Sequence, residues 1–135
     1  MQNYAVWWTG DLTRLAYNSN TLWQYHVWRH RADWIRWFEG AHTNNASKQS
    51  PALCGDIFGD WREEFVLVRD DNRGVRIFMT DYPTPYRFHT FLEDPAYRSS
   101  IATENVDYSQ PTHTSFYFGP DLLGQGIWFR GTFLK

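Results

Sequence analysis

The feature that most constrains this chain is punctuation. Short runs of aromatic and β-branched residues are stopped by clusters of glycine, proline, asparagine and aspartate, which reads as brief strands joined by turns. Residues 4–8 end at Thr9-Gly10-Asp11, and residues 21–28 carry Leu22, Trp23, Tyr25, Val27 and Trp28. Residues 65–68 and 75–80 flank Asp70-Asp71-Asn72-Arg73-Gly74, the pattern of a hairpin with a five-residue loop. Residues 87–92 follow the break Pro83-Thr84-Pro85, and residues 114–118 and 127–134 complete the series. A helix start is legible only at Asp94-Pro95-Ala96-Tyr97-Arg98, with Asp94 as N-cap and Pro95 in the first position. The predicted class is all-β.

Bulk properties narrow the partners. The chain's 135 residues fit one ordinary domain with a real core. A formal charge of −2 without any charge run argues against nucleic acid or an anionic membrane as partner. One cysteine, Cys54, excludes an internal disulfide framework and a thiolate metal cluster. No apolar stretch approaches the roughly 18 residues of a membrane helix. Met1-Gln2-Asn3-Tyr4 leads into a strand-like run without a basic start, so no signal peptide is read there. Aromatic residues make up 19% of the chain, enough to fill pleated sheet faces and to offer flat platforms for sugar rings.

The stretch "GDIFGDWREEFVLV", residues 55–68, sets an acidic, glycine-containing loop directly against a buried-strand run. In calcium-binding loops, oxygens recur at alternate positions so that a curling backbone aims them inward. Asp56, Asp60 and Glu64 stand at positions 1, 5 and 9 of such a curl, with Gly59 permitting the turn and Phe58 at the third position unable to ligate. Two readings stay open. Either a carbonyl, a water or a distant residue completes a calcium site, or Arg62 takes a carboxylate instead. A second stretch, residues 40–53, is long and polar, and Asn44, Asn45, Ser47 and Lys48 bring amide, hydroxyl and ammonium groups close together.

The texts "GDIFGDWREE", "NNASK", "DPAYR" and "NVDYSQPTHTSFYFG", in that order and with "VWWTGDLTRLAYN" near the start, resemble the C-terminal part of the rhamnogalacturonan lyases of polysaccharide lyase family 11. The resemblance covers nearly the whole chain. It implies an eight-bladed β-propeller with bound calcium that cuts the rhamnogalacturonan I backbone of pectin by β-elimination. A blade takes roughly 40–50 residues, so the chain would supply about three, and propellers of fewer than about four blades do not close. The chain is therefore expected to be the end of a larger enzyme whose N-terminal blades are missing. By itself it is expected to turn over nothing. Action on a cell-wall polysaccharide implies secretion or display outside the cell.

Carried over residue by residue, the resemblance assigns catalysis to Lys48 and Tyr108. Lys48 closes Asn45-Ala46-Ser47-Lys48, where the family has Asn-Gly-Thr-Lys. Asn45 and Ser47 would bind the sugar, and Ala46 in place of glycine puts the loop's backbone in question. Tyr108, in "NVDYSQP", would donate to the leaving oxygen or orient the lysine. Calcium or an arginine would neutralise the uronate; Arg87 and Arg98 are candidates, although Arg98 reads more simply as an ion-pair partner of Asp94. His113 is read as fastening loops and stays outside the catalytic set. Asn45-Ala46-Ser47 also matches a glycosylation acceptor, taken as chance because a glycan would block the cleft. A non-catalytic carbohydrate-binding module or a decayed propeller fragment is the competing reading.

Overall fold

The computed structural model of the chain describes residues 4–106 and 110–121. The strands β1 (Tyr4–Trp7), β2 (Arg14–Asn18), β3 (Thr21–His26) and β4 (Arg31–Trp37) form an antiparallel meander in that order. A second antiparallel sheet contains β5 (Ala41–His42), β6 (Leu53–Gly55), β7 (Glu64–Arg69) and β8 (Val75–Phe78). One α-helix among the described residues, α1 (Pro95–Thr103), follows a 3₁₀ turn at Phe91–Glu93. The all-β expectation holds at this level, and so does the helix start. Asp94 caps α1 by accepting from the Ala96 amide at 3.0 Å, with Pro95 in the first turn.

Register explains the core. Pairings Tyr4↔Tyr17, Val6↔Leu15 and Tyr17↔Leu22 put these side chains on one face of the first sheet, since alternate residues share a face. Cys54↔Phe65 and Phe65↔Phe78 do the same in the second. The two faces meet, with Trp8 and Phe38 joining them, and Tyr17 stacks on Phe65 at 4.4 Å between ring centroids. A second apolar cluster lies under α1 and comprises Trp7, Leu12, Trp61, Phe91, Tyr97 and Phe118.

The hairpin expected across residues 70–74 is present as β7–β8, closed by Arg69 N donating to Gly74 O at 3.0 Å. Two expected strands are not. Residues 87–92 carry no strand and end in the 3₁₀ turn, and residues 114–118 pair with nothing as a ladder. Their backbones are bonded to side chains instead. The Phe91 amide donates to Asp56 Oδ2 and the Ser115 amide to Asp94 Oδ2, alternatives that compete with ladder pairing. Their aromatics still enter the second cluster, where Phe88 and Phe118 meet edge-on at 4.9 Å. The strand expected at residues 127–134 lies outside the described residues.

In the second sheet, β8 takes one edge of β7, and β5 and β6 share the other. Ala41 and His42 face Arg69 and Val68, while Leu53, Cys54 and Gly55 face Val66, Phe65 and Glu64. The two short strands are therefore one strand line, interrupted by an excursion through residues 43–52. The helix α1 seats against its far end, so closely that a Cβ on Gly55 would lie 2.7 Å from Ile101 Cδ1. Gly55→Ala is expected to lower stability by about 1–3 kcal/mol in urea unfolding. Adding Ile101→Val, which removes the opposing methyl, should recover part of it. An unchanged midpoint in the single variant would show that helix and strand do not meet this way.

Candidate functional site

The excursion carries Lys48. Its neck is closed by Asn44 and Ser50, whose bridge includes the Asn44 amide donating to Ser50 O at 2.8 Å. Inside, one helix-like turn forms: the Gln49 amide donates to Asn45 O at 2.7 Å and the Lys48 amide to the same oxygen at 3.1 Å. Asn45 Oδ1 accepts from Ser47 Oγ at 2.9 Å and caps the Lys48 amide. This leaves the Asn45 amide nitrogen as the donor it offers outward. The left-handed backbone falls on Asn45 (φ 51°) and Gln49 (φ 53°), not on Ala46. Asparagine tolerates that region better than most residues, so Ala46 occupies its place without the freedom of glycine. The structure thus gathers Asn45, Ser47 and Lys48 on one preformed turn.

Tyr108 lies outside the described residues, but both flanks of its segment are held. Asn105 Nδ2 donates to Ala52 O at 2.5 Å and to Pro51 O at 3.4 Å. On the other side Tyr4 Oη donates to Gln110 O at 2.9 Å. A groove of about 680 Å³ runs beside this second flank, lined by Arg14, Ser100, Glu104, Thr112 and His113 among others.

The acidic loop resolves into three separate tasks. Asp56 Oδ2 accepts from Thr90 Oγ1 and the Phe91 amide, each at 2.8 Å. Glu64 Oε2 accepts from the Ile57 and Phe58 amides at 2.9 and 3.1 Å. Asp60 is bound by the Arg62 guanidinium and by the Arg62 amide. The Arg62 pairing with a carboxylate, one of the two readings open from the sequence, is present at Asp60. Among the described residues no three His, Cys, Asp or Glu side chains gather as a metal cage. Asp56 Oδ1 is buried without a hydrogen-bond partner, but one such oxygen is far short of the six to eight that calcium takes. The trio as built does not fit the ion.

Arg98, read as a partner of Asp94, donates instead to Leu92 O at 2.6 Å and Glu93 O at 3.2 Å. The His113 backbone amide donates to Ser100 Oγ of α1 at 3.3 Å, a bond in which its imidazole takes no part. Missed altogether was Glu63. It is fully buried; its Oε2 accepts from the Trp7 amide at 2.8 Å, and its Oε1 accepts from Tyr97 Oη at 2.7 Å and Thr112 Oγ1 at 2.6 Å. Its only hint was the doubled Glu63-Glu64 at a strand start, where neighbours point to opposite faces.

Residues 1–125 match the family described as rhamnogalacturonan lyase family 11, C-terminal domain. The chain belongs to this family. Rhamnogalacturonan endolyase YesW of Bacillus subtilis (strain 168) is 39% identical over 123 residues, 91% of this chain and 20% of that protein. Rhamnogalacturonan exolyase YesX of the same organism is 37% identical over 132 residues, 89% of this chain and 21% of that protein. The crystal structure of YesW superposes with a TM-score of 0.84 at 40% identity, covering 87% of this chain and 20% of its own. The Bacillus licheniformis rhamnogalacturonan lyase gives 0.84 at 41%, with the same coverage. This member of the lyase family spans about one fifth of the length of the relatives it matches.

Burial pushes Glu64 up to about 7 and Glu104 up to about 8, from an ordinary 4.5. A carboxyl raised on folding binds its proton more tightly in the native state, so stability falls as pH rises from about 4.5 to the folded value and is level beyond it. Each group contributes at most about 1.4 kcal/mol per pH unit inside its window. Urea unfolding between pH 4.5 and 8.5 should show this decline, and Glu64→Gln with Glu104→Gln should flatten it. An equal slope in the double variant would refute the assignment.

Proposed function

We propose that this chain is the part of a rhamnogalacturonan lyase that supplies Lys48 as base, Tyr108 as proton donor or lysine-orienting phenol, and Asn45 and Ser47 as sugar ligands. The remaining wall of the cleft comes from other parts of a longer enzyme. One observation carries the reading. Asn105, three residues before Tyr108, is hydrogen-bonded to carbonyls three and four residues after Lys48. Two texts sixty residues apart in sequence are thereby tied at their bases, as a two-residue catalytic pair requires.

The chemistry is β-elimination from a galacturonosyl residue. The base removes the C5 proton, the electron pair forms the C4–C5 double bond, and the C4–O bond breaks with protonation of the departing oxygen. Lys48 stands for the first transfer and Tyr108 for the last. Neutralising the uronate falls to groups outside the Asp56, Asp60 and Glu64 loop. Calcium is kept as a proposal for the complete enzyme, with ligands other than this trio, whose oxygens are largely committed to Arg62 and to backbone amides. The substrate proposed is the rhamnogalacturonan I backbone of pectin, met outside the cell. The two curated relatives are named as an endolyase and an exolyase at nearly equal identity. What this segment shares with both is accordingly the bond-breaking chemistry, not the choice of chain end.

The architecture proposed is roughly the last three blades of the larger propeller, among which the two sheets β1–β4 and β5–β8 are counted. Supporting this are the outward faces. Tyr25 and Trp34 on one sheet and Val75 and Ile77 on the other are exposed, an apolar surface that further sheets would cover.

In the full-length lyase, Lys48→Ala is expected to abolish the rise in ultraviolet absorbance of the unsaturated product, and Tyr108→Phe to lower kcat by roughly 10²–10⁴-fold. The chain alone should give no rise. Full activity in the Lys48→Ala enzyme would end this assignment of the base.

A further inference from the structure

Segments that carry catalytic groups on loops must be held to a fraction of an ångström, and the holding is done by hydrogen bonds behind the site. At the end of α1, two consecutive side chains grip the strand line that leaves the Lys48 excursion. Glu104, 1% exposed, accepts from the Cys54 amide at 2.8 Å through Oε2. Asn105 donates through Nδ2 to Pro51 O and Ala52 O. The helix behind them is fixed independently of either contact. Tyr97 Oη accepts from the Asp56 amide at 2.9 Å and donates to Glu63, and Ile101 lies against Gly55. The grip is thus anchored on a rigid element, and what it holds is the exit of the turn bearing Lys48.

From this geometry we infer that Asn105 is a positioning residue for the elimination, fixing the exit of the turn that bears Lys48 against the end of α1. The inference rests on the assignment of Lys48 and Tyr108 given above. Its chemical requirement is narrow. Both partners are carbonyl oxygens, so the side chain must donate, and a carboxylate of the same shape cannot. Asn105 itself is exposed, so its loss touches little of the apolar core. The effect belongs on kcat, because the bonds lie behind the site and contact no sugar.

The test uses the full-length lyase with rhamnogalacturonan I and four variants: Asn105→Ala, Asn105→Asp, Asn105→Gln and Lys48→Ala. Asn105→Ala and Asn105→Asp are expected to lower kcat by about 10- to 100-fold with KM within about twofold and a thermal midpoint within a few degrees of the parent. Asn105→Gln, which keeps the donor one methylene farther out, should recover part of the loss. A kcat within twofold of the parent in both Asn105→Ala and Asn105→Asp overturns the inference, as does a loss in Asn105→Ala that Asn105→Asp does not share. If Lys48→Ala is inactive while the Asn105 variants are normal, the positioning role alone is wrong. If Lys48→Ala is fully active, the assignment of the base has failed instead.

Discussion

One buried carboxylate holds the parts of this molecule in register. Glu63 receives hydrogen bonds from β1 through the Trp7 amide, from α1 through Tyr97 and from the segment after Tyr108 through Thr112, with the Arg14 guanidinium of β2 at 3.9 Å. Its own amide returns a bond to Trp7 O at 2.7 Å. Burial pushes its pKa up even with Arg14 beside it. A charge in that position is costly unless every lone pair is met, and three donors plus a cation meet them. The consequence is cooperative: none of the three elements can shift without leaving a buried oxygen or hydroxyl unpaired. The first sheet, the helix and the flank of the candidate site are therefore one unit.

The acidic loop follows the same logic at smaller scale. A run of aspartate and glutamate before a strand invites a cation, yet here the carboxylates act as acceptors for backbone amides and a guanidinium. Glu64 takes Ile57 and Phe58, Asp56 takes Phe91, and Asp60 takes Arg62. The turn needs them because its backbone is unusual, with Gly59 at φ 77° and Trp61 at φ 69°. A tryptophan in the left-handed region is strained, and it is held there by burial among Phe88 and Phe118. Composition showed the acids but not what they would bind, since amide and metal acceptors look alike in sequence.

That asymmetry runs through the whole chain. The strands β1, β3, β7 and β8 were legible because their apolar residues are contiguous or bounded by clear turns. Strand β2 was not, because Arg14 and Asn18 break its pattern while only Leu15 and Tyr17 face the core. Strand β4 hid behind Arg31, Asp33 and Arg36, which break its apolar run, and none of its residues is buried. Aromatic runs at 87–92 and 114–118 misled for the opposite reason: they fill a core without joining a ladder. For the candidate site, the turn at Asn45–Lys48 was readable as a text. The contact that ties it to the Tyr108 segment was not, since Asn105 bonds to carbonyls, and carbonyls carry no residue signature.

The interrupted strand line shows why a loop can be both long and firm here. Its ends, His42 and Leu53, face Val68 and Val66 of one strand, a separation of roughly 7 Å along β7. The excursion between them is thus closed at its base by sheet pairing rather than by its own contacts. Closing a loop costs more as it lengthens, but only slowly, so ten or so residues can leave the ladder and return without unravelling it. Groups within the excursion then need only local bonds, of which Asn45 accepts four. The exit is held from both sides: the Ala52 amide donates to Val66 O of β7 at 2.9 Å, and the carboxamide of Asn105 takes the Pro51 and Ala52 carbonyls. A site made this way keeps its shape from the sheet and its aim from the helix.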